Sequence, residues 1–304
     1  MRGGAARAAR RSVDAGSYRC ARASLHCRRF VRPYTPQDKT VPETSAADLL
    51  AFLALFTAAS LGGALNAVAG GGTFITLPTL IFTGVPPVFA NTTSTMALWP
   101  GSLSSVLAYR REIGQLRHLG TLAVPSIVGG LAGAVLLVRT PEDTFVALVP
   151  WLLLGATLLF TYGSRLTRRL RDTFRMGSPE GVRGVLVVGA LQIVIALYGG
   201  YFGGGIGILM LASFVLMGME NIHEMNALKT ILASCINGVA LLTFVVTGKV
   251  LWLQAGVMVV GGITGGYLGA HYAQRLPGTR VRQFVTAVAS TMTLYFFVRN
   301  YVLT

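Results

Sequence analysis

Charge is what this sequence lacks most: only 12% of its 304 residues are Asp, Glu, Lys or Arg, about half the share of an ordinary soluble domain. With 53% hydrophobic residues and a mean hydropathy of +0.61, the chain reads as a polytopic membrane protein. Cysteine is scarce too. Cys20, Cys27 and Cys235 are the only three, too few for a disulfide framework. Four histidines offer no metal-ligand cluster. The nearest motif, His223-Glu224-Met225-Asn226, has Ala227 where a zinc-protease helix needs its second histidine. Neither a metal nor another cofactor is expected.

Basic residues outnumber acidic ones 26 to 11, and the excess is concentrated in a tail. Residues 1–40 carry nine Arg and one Lys against Asp14 and Asp38. No apolar h-region precedes residue 47, which excludes an ordinary secretory signal. Three readings stand for this tail: an organelle transit peptide, a cytoplasmic segment touching anionic lipid head groups, or upstream coding sequence from a misassigned start. No nucleic-acid partner is expected, because the basic run has neither a folded scaffold nor interleaved stacking aromatics.

Glycine is abundant at 37 residues, as suits closely packed membrane helices. Two clusters, Gly70-Gly71-Gly72 and Gly203-Gly204-Gly205, each follow an apolar run and precede one too short to cross a bilayer. Each glycine costs a helix interior roughly 1 kcal/mol relative to alanine, so both clusters predict a helix break. The same order of landmarks appears twice: the glycines at an offset of 133, Asn91 and Asn226 at 135, and Gly129-Gly130 and Gly265-Gly266 at 136. The chain therefore divides into a tail (1–46), a first repeat (47–162), a basic linker (163–182) and a second repeat (183–304). If neither short segment crosses, each repeat spans four times, giving an all-α protein of eight spans. Positive-inside counting then places both termini in the cytoplasm and relates the repeats by an axis along the membrane normal. The cell membrane is the expected location, or an organelle membrane if the tail is a transit peptide.

Irregular backbone at membrane depth is tolerated where protein or a water-filled cavity surrounds it, and a helix starting there offers free N–H groups to an anion. Gly70, Gly71, Gly72, Thr73, Gly203, Gly204 and Gly205 are the backbone half of such a site. Asn91, Thr92, Ser94, Asn226 and Thr230 supply amide and hydroxyl groups, with N-capping as the alternative role for the two asparagines. Lys229 lies inside an apolar run, where an ionisable group is a functional hypothesis by default. Its structural alternative is snorkelling to the interface. Glu220 and Glu224 are candidates for a proton relay. The Gly261, Gly265, Gly269 ladder reads as a packing surface.

The stretches Asn66 to Ile113 and Leu197 to Val250, with their two glycine breaks and asparagine-led helices, resemble the two halves of the TauE/SafE sulfite exporter family of membrane transporters. The resemblance covers residues 47–303. It implies transport of sulfite, an organosulfonate or a related organic anion, outward and coupled to an ion gradient. The half-sites differ, since Asn66 and Thr73 stand where the second copy has Gly199 and Ile206. The partners expected are a small anion, the lipid bilayer and a coupling proton or ion; an oligomer is compatible. A passive anion channel is the alternative. An intramembrane enzyme is remote, as Ser102 and His271 are the only nucleophile and base available to it.

Overall fold

Apolar runs bounded by glycine, proline and charge become helices: α1 (Ala46–Val68), α2 (Thr73–Phe82), α3 (Pro87–Ala108), α4 (Leu119–Arg139), α5 (Glu142–Thr173), α6 (Gly181–Tyr201), α7 (Ile206–Leu216), α8 (Ile222–Val246), α9 (Trp252–Tyr272) and α10 (Gly278–Tyr301). The computed structural model describes residues 46–68, 71–108, 119–173, 181–219, 221–272 and 278–302, all within one unit from Ala46 to Thr304. Among the described residues there is no strand. Residues 1–45, Gly70 and Glu220 lie outside them.

Among the described residues, four segments are long and apolar enough to cross a membrane: Asp48–Asn66, Leu119–Arg139, Glu142–Gly163 and Glu224–Val246. Large apolar side chains also face outward. Val246 is 86% and Val194 65% exposed, as a lipid-facing surface requires and a water-facing one avoids. The basic segment expected as a linker from 163 begins as helix, because α5 continues for 32 residues to Thr173. At 1.5 Å per residue that is about 48 Å, well beyond a bilayer core of roughly 30 Å.

Glycine sets how the helices meet. A methyl on Gly261 of α9 would lie 2.5 Å from the Phe56 carbonyl oxygen of α1, and one on Gly265 would overlap the Ser60 carbonyl. On the other side of the molecule, a methyl on Gly129 of α4 would lie 2.5 Å from the Ile193 carbonyl of α6, and one on Gly133 would overlap the Leu197 carbonyl. These are backbone-to-backbone contacts that only glycine permits, so the packing role expected of the glycine ladder holds for Gly261 and Gly265.

Those same contacts fix direction. Phe56 and Ser60 meet Gly261 and Gly265 in the same order, so α1 and α9 are parallel. Ala97 and Gly101 of α3 meet Gly262 and Gly266, so α3 follows the same direction as α9 and α1. By contrast, Thr92 of α3 reaches Lys249 beyond the end of α8 while Trp99 reaches Ser234 in its middle, so α3 and α8 are antiparallel. Helices α5 and α10 are antiparallel as well: Val146 meets Asn300, and Thr157 meets Thr293 at 3.2 Å.

This corrects the expected topology. If α2 did not reverse the chain, α3 would run back against α1; instead the two share a direction. Corresponding helices of parallel four-span repeats would also be parallel, yet α3 and α8 oppose each other, as do α5 and α10. Counting hydrophobic length went wrong for a physical reason. The chain doubles back at each break: Gly72 packs on Gly62 of α1, and Gly199 of α6 packs on Ile206. A helix of 10 or 11 residues, about 15 Å long, is enough for the return because it starts alongside the body of the preceding helix rather than beyond its end.

Candidate functional site

The two breaks have similar sequences and different physics. At the second, Gly203 and Gly205 adopt φ of 81° and 80°, the left-handed region in which a side chain is strained. At the first, Gly72 has an ordinary helical φ of −59° and is needed for space: a methyl there would sit 2.5 Å from the Gly62 carbonyl oxygen and 3.0 Å from Leu98. Gly71 and Gly72 are both buried, and Thr73 is half-buried at the start of α2.

Around the first break hydroxyl groups meet one another instead of lipid. Thr76 and Ser94, both fully buried, share a hydrogen bond of 2.6 Å. The Asn66 amide, on the last turns of α1, donates to the Ser102 hydroxyl at 2.8 Å. Thr76 was not legible as a site residue, since an isolated threonine in an apolar run usually bonds back within its own helix. It does so here as well, to the Gly72 carbonyl at 3.2 Å. Ser104 is exposed and bonds back to Gly101.

Around the second break the Tyr198 hydroxyl donates to the Gly204 carbonyl at 2.8 Å, fastening the loop to α6. Lys229, the residue corresponding to Ser94 at the offset of 135, lies along the start of α7: a methyl on Gly207 would be 3.1 Å from its Cδ. Its ammonium donates to Asn226 Oδ1 at 3.1 Å. Thr230 bonds back to the Asn226 carbonyl at 2.8 Å. Glu224 accepts from the Asn221 amide at 3.1 Å, so of the two relay candidates the described one is held locally.

Asn91 and Asn226 are each the fifth residue of their helix, α3 and α8. Neither is an N-cap, which corrects that alternative. Asn91 is 1% exposed; its amide donates to the Tyr201 carbonyl at 3.1 Å, while its Oδ1 has no hydrogen-bond partner. Asn91 therefore joins the first half to the break of the second. Thr92 donates to the Lys249 carbonyl.

At the crossing of α3 and α8 the Trp99 indole N–H donates to the Ser234 carbonyl at 3.0 Å, against Gly238, whose missing side chain leaves room for the ring. The Ser234 hydroxyl is buried with no hydrogen-bond partner. Trp99 and Ser234 are themselves 135 residues apart, and Thr157 and Thr293 136 apart. A search for polar residues separated by the repeat offset would have found both pairs.

A model of the family described as Sulfite exporter TauE/SafE matches residues 55–296. The chain belongs to that family. TauE/SafE is a family of membrane transporters rather than of enzymes, and the match includes both breaks and every candidate residue just described. A "Probable membrane transporter protein" of Haemophilus influenzae is 30% identical over 248 residues, covering 81% of this chain and 93% of the relative. "Probable membrane transporter protein YfcA" of Escherichia coli K12 is 27% identical over 239 residues, covering 78% and 86%. "Probable membrane transporter protein ORF9" of a Sinorhizobium species is 29% identical over 247 residues, covering 81% and 91%. No solved structure matches the chain. Among the described residues of this TauE/SafE protein, no group of three or more His, Cys, Asp or Glu could hold a metal.

Proposed function

We propose that this protein is a secondary transporter that moves a small oxyanion, sulfite or a short organosulfonate, through the region where α3 and α8 cross, outward and coupled to an ion gradient. The observation that carries this reading is Lys229: a cation within the apolar span Glu224–Val246, lying against the helix start that follows a glycine break and bonded to a neutral amide. A small anion is the ligand such a charge would stabilise. Gly71, Gly72, Gly203, Gly204, Gly205, Ser94 and Thr230 remain its proposed surroundings.

The organisation proposed with it is an inverted repeat, with residues 47–162 and 183–304 as the halves. Exchanging the halves turns the α1–α9 contact into α6–α4, and the α3–α9 contact into α8–α4, and each of these packings is present. The axis then lies in the membrane plane. In this arrangement the C-terminal ends of α3, α5 and α9 share one face, next to Arg110, Arg111, Arg117, Arg165, Arg168, Arg169 and Arg275. We assign that face to the cytoplasm, which reverses the expectation of cytoplasmic termini. Of the tail's basic residues only Arg28, Arg29, Arg32 and Lys39 lie within about 20 residues of α1, the outer limit over which the charge bias counts, fewer than the seven assigned to the opposite face. A reporter of sidedness fused after Thr304 is expected outside the cytoplasm, and one inserted between 174 and 180 inside. The opposite pair of results would restore cytoplasmic termini.

The functional test is efflux of sulfite, a short sulfonate and a carboxylate from proteoliposomes, with and without a proton gradient. Saturable sulfite or sulfonate flux that follows the gradient is expected. Flux that stays linear with concentration and ignores the gradient would make the protein a channel.

A further inference from the structure

Three consecutive buried residues of α3 reach out in three directions to the backbone of the second half. Asn91 donates to the carbonyl of Tyr201 at the end of α6 at 3.1 Å, Thr92 donates to the carbonyl of Lys249, and Thr93 accepts the N–H of Leu251 at 3.2 Å. Exposures are 1%, 0% and 0%. Successive helix residues point about 100° apart, so the three cover most of one turn. A substrate lining occupies one face. This arrangement surrounds the helix and fastens it.

Each bond is of a kind that must be replaced if broken. The turn between α8 and α9 uses its backbone groups at Lys249 and Leu251 on these hydroxyls, and a buried backbone group left unpaired is costly. The Thr92 hydroxyl has a second acceptor one turn back, the Phe89 carbonyl at 3.0 Å, so it can let go of Lys249 without losing every partner. The unpartnered Asn91 Oδ1 is an acceptor, the wrong polarity for an anion ligand. Corresponding residues in α8 are Asn226, Ala227 and Leu228. Two of the three cannot make such bonds, so the opposite face of the molecule has no equivalent fastening from these positions.

We propose that Asn91, Thr92 and Thr93 are positioning residues that latch α3 against the second half, and that the molecule as it stands is closed at the face where α3 begins. Opening toward that face requires the latch to release, whereas Ala227 and Leu228 supply no equivalent bonds at the corresponding positions of the opposite face. Substrate does not touch these residues; they set which side the binding region faces. The consequence for transport rests on the proposed function, but closure itself can be read without any flux.

The test uses the full chain with Cys20, Cys27 and Cys235 changed to Ser and Thr95→Cys, one turn further along α3, as the reporter. A membrane-impermeant thiol reagent is applied from the face where α3 begins. Adding Thr92→Val and Thr93→Val is expected to raise the labelling rate about tenfold, the scale of one to two lost hydrogen bonds. Thr92→Ser, which keeps the hydroxyl, labels at the parent rate. In sulfite flux the double valine variant changes turnover more than KM. Equal labelling of parent and valine variant, both monodisperse in detergent, overturns the latch. Labelling that rises equally from both faces also overturns it, because that result describes a loosened fold.

Discussion

Lys229→Met is expected to leave a protein that folds and inserts like its parent but binds sulfite roughly 10 to 100 times more weakly, the equivalent of a charge-assisted hydrogen bond of about 1.5–3 kcal/mol. Methionine is the informative replacement. The lysine stem packs along Gly207, where a methyl on the glycine would approach Cδ to 3.1 Å, and an unbranched apolar side chain preserves that contact. Alanine would open a gap there and mix a packing loss with the charge loss. Sulfite titration by calorimetry in detergent, beside a thermal melt, separates the two. Binding that survives in Lys229→Met would mean that the ammonium only reaches back along α8 toward the interface, with Asn226 as its resting partner, and the anion site would have to be sought elsewhere.

Much of the fold was legible because apolar runs and glycine clusters recur at fixed offsets. Among the described residues the apolar runs became helices, and both glycine clusters lie between helices as expected. Direction was not legible. It depends on whether a helix of 10 residues continues the one before it or turns back along it, and hydrophobic length cannot distinguish these. Gly72 resting on Gly62 can. The candidate site was read in the same uneven way. Lys229 was identifiable because charge is conspicuous in an apolar run. Asn91 and Thr92 were chosen as anion donors by residue type, yet their donors are occupied by carbonyls contributed from residues 110 and 157 positions away, contacts that no local pattern encodes. Trp99, Ser234 and Thr76 were missed for the same reason, since their partners lie on other helices.

The two breaks, so alike as sequence, are expected to rank alanine and asparagine replacements in opposite orders. Gly72→Ala puts that methyl against the Gly62 carbonyl and Leu98. Backbone on one side and a packed core on the other leave it nowhere to go, so α1 and α2 must separate next to Thr76, whose hydroxyl ties α2 to Ser94 of α3. Overpacking of this kind costs about 1–3 kcal/mol, and the loss falls on the part of the molecule that positions the first break, so transport should fall with stability. Gly205→Ala meets nothing nearer than 3.6 Å; its cost is the left-handed conformation alone, about 1–2 kcal/mol. Gly205→Asn should recover much of that, because asparagine tolerates the left-handed region better than alanine does, whereas Gly72→Asn should be worse than Gly72→Ala because it is larger. Melting temperatures of the four variants in one detergent provide the comparison. If asparagine is the better replacement at 205 and the worse one at 72, the first break is governed by space and the second by backbone conformation. The same ranking at both positions would mean that the two breaks are held by one mechanism and that their different geometries do not control stability.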